Sequence, residues 1–229
     1  MLYTREPAAI VSAMIKTRIF ENTEALIAET AGLLRQTLAT PGNLMLSGGS
    51  TPYVVYNHLA ASPCPVHAGR RLFLSDERME PFDSEKNNAH NLMPMLRALE
   101  CEDRFIRIET ALPIHQAANR FDADLQPMES IDLGFLGMGS DGHTAGFFTP
   151  EQAHLKSGPL TLSTDRPDGM RGVSVTPAFL KRVERIILLV SGESKREIIN
   201  TLLTEPETIA SGIALADHPN AELWTDIPL

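Results

Sequence analysis

Cysteine is scarce in this chain, with two residues, Cys64 and Cys101, among 229. Two thiols can build neither a disulfide framework nor a Cys-rich zinc site, and they suit a reduced compartment. The seven histidines, at positions 58, 67, 90, 115, 143, 154 and 218, never fall at i and i+4, so no helical zinc pair exists. No apolar run approaches the ~20 residues that a membrane helix requires. The stretch from Ala8 to Ile15 is short, with Glu6 before it, Lys16-Thr17-Arg18 after it and no small-residue cleavage site, so no signal peptide is expected. Basic charge is in deficit: 20 Lys and Arg against 29 Asp and Glu give a net charge of −9, with no basic cluster. Nucleic acid and membrane surfaces are therefore not expected as partners, and any anionic ligand must be held locally. There is no G-x-S-x-G elbow either, because Met138 stands two before Ser140 and Pro52 two after Ser50, which disfavours covalent serine hydrolysis.

Internal repeats and low-complexity linkers are missing as well, which favours a single domain over residues 1–229. With 43% apolar residues and dispersed Gly and Pro, the chain has the composition to bury a proper core. The working class is a soluble, cytoplasmic α/β protein.

What is present is a set of short apolar runs, each stopping at a polar, Gly- or Ser-containing loop. Leu44-Met45-Leu46 runs into Ser47-Gly48-Gly49-Ser50-Thr51-Pro52, and Leu72-Phe73-Leu74 into Ser75-Asp76-Glu77-Arg78. Ile131 to Gly137 runs into Met138-Gly139-Ser140-Asp141-Gly142-His143, and Ile186 to Val190 into Ser191-Gly192-Glu193-Ser194-Lys195. Runs without polar alternation are strands covered on both faces of a parallel sheet, so four strands are expected. Helical periods lie between them: Ile27, Ala31, Leu34 and Leu38 with Asn22 as N-cap, then Ile114, Ala118, Phe121 and Leu125. A third helix is expected from Glu193 to Leu203, stopping before Pro206. Thr149 to Gly172, with prolines at 150, 159 and 167, reads as a long excursion or lid. Ligands of open parallel sheets sit beyond the carboxyl ends of the strands, and all four polar loops fall at that end.

Each loop has a chemical and a plain reading. Gly48, Gly49, Ser50 and Thr51 would converge backbone amides and hydroxyls on a helix N-terminus, a natural phosphate seat, or form an ordinary capped turn. This loop lacks the Lys of a nucleotide P-loop. Asp76-Glu77-Arg78 offers a guanidinium for phosphate and a carboxylate for a sugar hydroxyl or a proton, or is a solvated charged loop. Asn87 and Asn88 begin the next helix, to bond a ligand or to cap. Gly137, Gly139 and Gly142 formally satisfy G-x-G-x-x-G, but no clean helix and strand follow, as a dinucleotide fold requires. What remains is His143 beside Asp141 on a Gly-rich turn, suited to general acid/base chemistry or to a structural role. Lys195 opens a helix against its dipole, which an anionic ligand would explain as well as simple exposure to solvent would.

In order and spacing, Leu46 to Pro52, Leu74 to Arg78, Asn88 and Leu136-Gly137-Met138-Gly139-Ser140-Asp141-Gly142-His143-Thr144-Ala145 resemble the 6-phosphogluconolactonase family, within the glucosamine/galactosamine-6-phosphate isomerase superfamily. The likeness runs from the helix near Asn22 to Trp224. It implies a Rossmann-like wound, mostly parallel sheet with helices on both faces, no cofactor and no metal. The implied reaction is hydrolysis of 6-phosphoglucono-1,5-lactone in the pentose phosphate pathway. Asp-Glu-Arg and Asp-Gly-His-Thr-Ala look like the lactonase branch; the isomerase branch usually shows Asp-Glu-Tyr and Asp-Gly-His-Ile-Ala.

Carried over residue by residue, His143 is the base and Asp141 its positioning group. Gly48, Gly49, Ser50, Thr51, Asp76, Arg78, Asn88 and Lys195 are the sugar-phosphate contacts. The family's strand-start Arg falls on Gly172, with Arg171 one residue earlier as a substitute contact, and its Ala-Ser-Leu-Phe-Pro becomes Ala145-Gly146-Phe147-Phe148-Thr149-Pro150. The rival readings are an amino-sugar phosphate isomerase or deaminase using Asp76, a non-catalytic sugar-phosphate sensor, and a nicotinamide enzyme using the Gly137 turn. Oligomeric state stays open between monomer and homodimer.

Overall fold

The computed structural model describes residues 15–229. The apolar stretch beginning at Ala8 therefore lies outside the described residues, except for Ile15. The strands are β1 (Lys16–Ile19), β2 (Gly42–Leu46), β3 (Arg70–Leu74), β4 (Asp76–Arg78), β5 (Phe105–Ile106), β6 (Leu133–Leu136), β7 (Thr161–Asp165), β8 (Arg171–Val175), β9 (Ile186–Val190) and β10 (Ala221–Thr225). Seven of them form one sheet in the order β1-β10-β9-β6-β2-β3-β5, with every neighbouring pair parallel. The three others, β4-β8-β7, form a small antiparallel sheet.

Parity along the central strands explains why they read as unbroken apolar runs. On β9, Ile187 and Leu189 join one core while Ile186, Leu188 and Val190 join the other, so no position faces water. The first core is covered by α1 (Thr23–Leu38), α2 (Ser50–Ala61) and α3 (Asn88–Ala98). The second is covered by α4 (Ile114–Leu125), two short helices α5 (Pro150–Ala153) and α6 (Pro177–Leu180), then α7 (Arg196–Thr204) and α8 (Ala210–Leu215). Asn22 caps α1 as its sequence signals, its side chain accepting from Ala25 N at 2.8 Å. On α1 the expected Ala31, Leu34 and Leu38 are buried, joined by Leu26 and Thr30, while Ile27 is only partly covered. On α4 the four expected residues are all buried.

Two expectations need correction. Thr149 to Gly172 is no irregular excursion: it contains α5, β7 and the first two residues of β8, and β7 and β8 form an antiparallel hairpin that pairs Thr161 with Val175 and Asp165 with Arg171. Its prolines punctuate: Pro150 opens α5 under a Thr149 capping box, and Pro167 lies in the tight turn where Arg166 N donates to Met170 O at 2.9 Å. The helix expected from Glu193 starts as a 3₁₀ turn over Glu193–Lys195 and becomes α-helical only at Arg196. No helix among the described residues is long and apolar enough to cross a membrane.

The order of strands also fixes where a ligand can go. From β2 the chain moves outward through β3 to β5, then returns to the other side of β2 and proceeds through β6, β9 and β10. The loops after β2 and β6 therefore leave in opposite directions, and a crevice opens between them at their carboxyl ends.

Candidate active site

An open cleft of about 210 Å³ occupies that crevice, and all four polar loops contribute to its walls. Its first wall is the turn from β2 into α2. Gly49, at φ +116°, caps α2 without a side-chain hydrogen bond, so the first amides of the helix have no protein acceptor. Gly48 is required for a different reason: a Cβ there would lie 2.4–2.7 Å from the Asn88 amide group. Asn88 is itself held, Oδ1 accepting from Tyr53 Oη at 2.8 Å and Nδ2 donating to Asp76 O at 3.1 Å. Gly48, Gly49, Ser50, Thr51 and Asn88 thus line one wall, with dipole and amides favouring an anion.

The triplet Asp76-Glu77-Arg78 is strand β4, and period-two alternation sorts its charges. Asp76 and Arg78 line the cleft, whereas Glu77 turns inward and is 1% exposed. Arg78 donates to Lys86 O at 2.9 Å, and its Nε is buried without a partner. Glu77 Oε1 accepts from Arg78 N at 2.8 Å and Asn88 N at 2.7 Å, and Oε2 accepts from Ala89 N at 2.7 Å. This carboxylate therefore locks β4 to the first turn of α3, fixing Arg78 and Asn88 relative to each other. The sequence alone does not say which of the two carboxylates faces the cleft; strand alternation is the signal that separates Glu77 from Asp76.

Burial pushes the Glu77 carboxyl up to about 7, against the pull of its three amides. The unfolded chain releases the same proton near 4.5. Between those values the folded state binds more protons, so this group's contribution to stability falls as pH rises from 4.5 to 7 and is level above. The full drop is at most about 3 kcal/mol. Urea unfolding at pH 5 and pH 8 should show about three quarters of that difference in the wild type and lack it in Glu77→Gln; equal pH slopes in the two proteins would contradict it.

Facing this wall, the loop after β6 closes on itself through Gly139 N to His143 O at 2.9 Å and Thr144 Oγ1 to Gly137 O at 2.8 Å. No helix follows Gly142 directly, so the G-x-G-x-x-G spacing is a turn and not a dinucleotide seat. His143 Nδ1 lies 2.5 Å from Asp141 Oδ1, which also accepts from His143 N at 3.2 Å. With Asp141 as acceptor, Nδ1 carries the hydrogen, which in the neutral ring leaves the Nε2 lone pair facing away from Asp141. Partial burial pushes the Asp141 carboxyl up, but the bond and charge of His143 outweigh it and hold the group below its usual range. Gly139 is packed against this pair: a Cβ there would come 2.1 Å from His143 Nδ1 and 2.4 Å from Asp141 Oδ1.

Lys195 crosses from the loop after β9 to donate to Met138 O at 2.9 Å, bringing an ammonium to the cleft. Burial draws its pKa down while Asp141 pulls it up. The loop behind it is moored by Asp226, which accepts from Ser191 Oγ at 2.6 Å and Gly192 N at 3.2 Å. Arg171 does not join this group. It is half exposed, 3.3 Å from Asp165, and absent from the cleft wall, while a Cβ on Gly172 would meet Glu77 O at 2.9 Å. Among the described residues no three His, Cys, Asp or Glu side chains cluster to hold a metal ion.

One wall suited to an anion and a facing wall suited to proton transfer define a class of α/β protein that works on small anionic molecules. The chain belongs to the glucosamine-6-phosphate isomerase/6-phosphogluconolactonase family, whose model matches residues 17–224. It is 31% identical over 170 residues to a 6-phosphogluconolactonase of Thermotoga maritima, covering 71% of this chain and 74% of the relative. Its fold matches a solved 6-phosphogluconolactonase from Shewanella baltica with a TM-score of 0.82 at 20% identity, over 93% of this chain and 98% of that one. A monomeric glucosamine-6-phosphate deaminase matches with a TM-score of 0.76 at 18% identity, over 92% and 97%. The wound parallel sheet with helices on both faces is thus the fold these proteins share.

Proposed function

We propose that this chain is a 6-phosphogluconolactonase, a cofactor-independent enzyme that opens 6-phosphoglucono-1,5-lactone to 6-phosphogluconate in a cytoplasmic pentose phosphate pathway, the whole chain acting as one unit. The observation that carries this reading is the His143–Asp141 pair, with Nε2 free, in the same cleft as the uncapped N-terminus of α2. The family and the curated lactonases supply the substrate class.

A δ-lactone is an ester that water can attack once it is positioned, so no covalent nucleophile is required. His143 Nε2 takes a proton from water as the oxygen adds to C1, and the imidazolium then protonates the departing ring oxygen. Asp141 keeps the ring in the tautomer this needs and offsets the charge that develops on it. Backbone amides of the Gly-rich turns stabilise the tetrahedral oxyanion. At the far end the amides of Gly49 to Thr51, with Arg78 and Lys195, hold the phosphate, and that binding energy orients the lactone.

The direct test is a rapid continuous assay on freshly generated 6-phosphogluconolactone, corrected for spontaneous hydrolysis, with ammonia release from glucosamine 6-phosphate followed in parallel. Lactone opening well above the spontaneous rate without ammonia release is the expected result; the reverse pattern assigns the deaminase reaction. Lys195→Met should raise KM about 10- to 100-fold, the range for a charged hydrogen bond to phosphate, with kcat changed only a few-fold. A KM left at the wild-type value would remove Lys195 from the phosphate clamp.

A further inference from the structure

His143 is restrained on two sides, and only one restraint is accounted for by Asp141. The Phe148 ring centroid lies 4.5 Å from that of His143, with the planes inclined at 39°. The Arg166 guanidinium carbon lies 4.8 Å from the same Phe148 centroid. Arg166 comes from the turn of the β7–β8 hairpin, more than twenty residues along the chain, and its side chain is only 9% exposed. Its ion-pair partner is Asp168 on the same turn, Nε to Oδ2 at 3.3 Å, and Asp168 Oδ1 accepts from Met170 N at 3.1 Å. A guanidinium this covered, with one partially exposed carboxylate for company, gains from the face of an aromatic ring.

The hairpin is also keyed to the loop that carries His143. Gly146 N donates to Ser174 Oγ at 2.9 Å, and Gln152 bridges the two segments, accepting from Phe148 N at 2.8 Å and donating to Thr164 Oγ1 at 3.0 Å. Gly146 allows this approach, since a Cβ there would lie 2.6 Å from Ser174 Cβ and 3.1 Å from Thr164 Cγ2. The seam leaves Arg166 little freedom to withdraw from Phe148.

A single hydrogen bond to Asp141 fixes which nitrogen points where, but the imidazole can still tilt about that bond. Contact with a flat ring limits the tilt, provided the ring itself is held. We propose that Arg166 is a positioning residue for His143, acting through the Phe148 ring. The inference rests on reading His143 as the general base. Arg171, half exposed and outside the cleft wall, takes no part in this contact; the arginine placed on Phe148 is Arg166, five residues earlier, on the turn.

The test is a double-mutant cycle on lactone hydrolysis with Arg166→Ala, Phe148→Leu and the pair, alongside Arg166→Lys. Leu keeps the apolar bulk at 148 and loses only the aromatic face. Each single change should lower kcat about 5-fold, the size of one cation–π contact, with KM unchanged. The double variant should be no slower than Phe148→Leu alone, and Arg166→Lys should recover part of the loss. In two-dimensional NMR, the His143 ring-proton resonances, identified by their loss in His143→Ala, should shift in Arg166→Ala. Independent, multiplicative losses in kcat, or a raised KM at constant kcat in Arg166→Ala, would overturn the proposal, the second outcome making Arg166 a direct substrate contact. Failure of the underlying reading is distinguishable: His143→Ala would then keep the wild-type rate, while the NMR shift would still report the contact from Arg166 to His143.

Discussion

Replacing His143 with Ala is expected to lower kcat for the lactone by about 10²- to 10⁴-fold, the range for loss of a positioned general base. The wall proposed to hold the phosphate is built from other elements, α2, β4 and the loop after β9, so KM should change by no more than a few-fold. His143 is partly exposed on a turn held by main-chain bonds that do not involve its ring, and the fold should tolerate the change. The thermal midpoint is therefore the control, and an unshifted midpoint with an unshifted kcat would remove His143 from the chemistry. If His143 is the proposed base, the residual activity of His143→Ala should respond to added imidazole, and rescue at high imidazole concentration would identify the missing group as a base.

Gly139→Ala should be nearly as severe although it replaces neither His143 nor Asp141. Gly139 has no left-handed backbone to protect, because the positive-φ glycines of this loop include Gly142 but not Gly139. Ala is thus acceptable to the main chain, and the penalty comes from the new methyl, which would intrude to 2.1 Å from His143 Nδ1. The imidazole has to leave its bond to Asp141, and displacement of a reacting group by about 1 Å can cost about 10² in rate. We expect a loss of at least about 10²-fold in kcat, a loss of the downfield proton signal of the His143–Asp141 bond, and normal folding. Wild-type turnover would show that Nδ1 and Asp141 need not be paired for catalysis.

Much of this arrangement is legible in the sequence, for physical reasons that also mark the limits. The four central strands stand out because both faces are buried, so Leu44 to Leu46 and Ile186 to Val190 contain no polar residue to break the run. The edge strands lack that signature: β1 is Lys-Thr-Arg-Ile, exposed throughout, and β5 is two residues long. β10 hides behind its own chemistry, since Glu222 pairs with Arg185 and receives the Trp224 indole N–H at 2.9 Å, giving a strand that looks mixed. Within the site, loops at strand ends could be read from their Gly and Ser content, and the cleft gathers residues from each of them. What composition could not reveal was partnership across long separations. The sequence singles out Arg171 and not Arg166; the folded hairpin pairs Arg171 with Asp165 at its exposed end and leaves Arg166, on the turn, over Phe148. The prolines near 149–172 misled for a related reason, because they mark the ends of short elements as readily as they mark disorder.

The reversal of direction at β2 has a consequence for how such a protein can change. Residues 47–88, on the outward-going half of the sheet, supply one wall of the cleft, and residues 137–143, on the returning half, supply the facing one; in the proposed reaction the first would hold the phosphate and the second the acid/base pair. In that reading the handle and the tool sit on different halves of one sheet. Substitutions in the loop after β6 can redirect the reaction while leaving the grip on a sugar phosphate in place, and a family that spans ring-opening hydrolysis and amino-sugar isomerisation is what such a division of labour would produce.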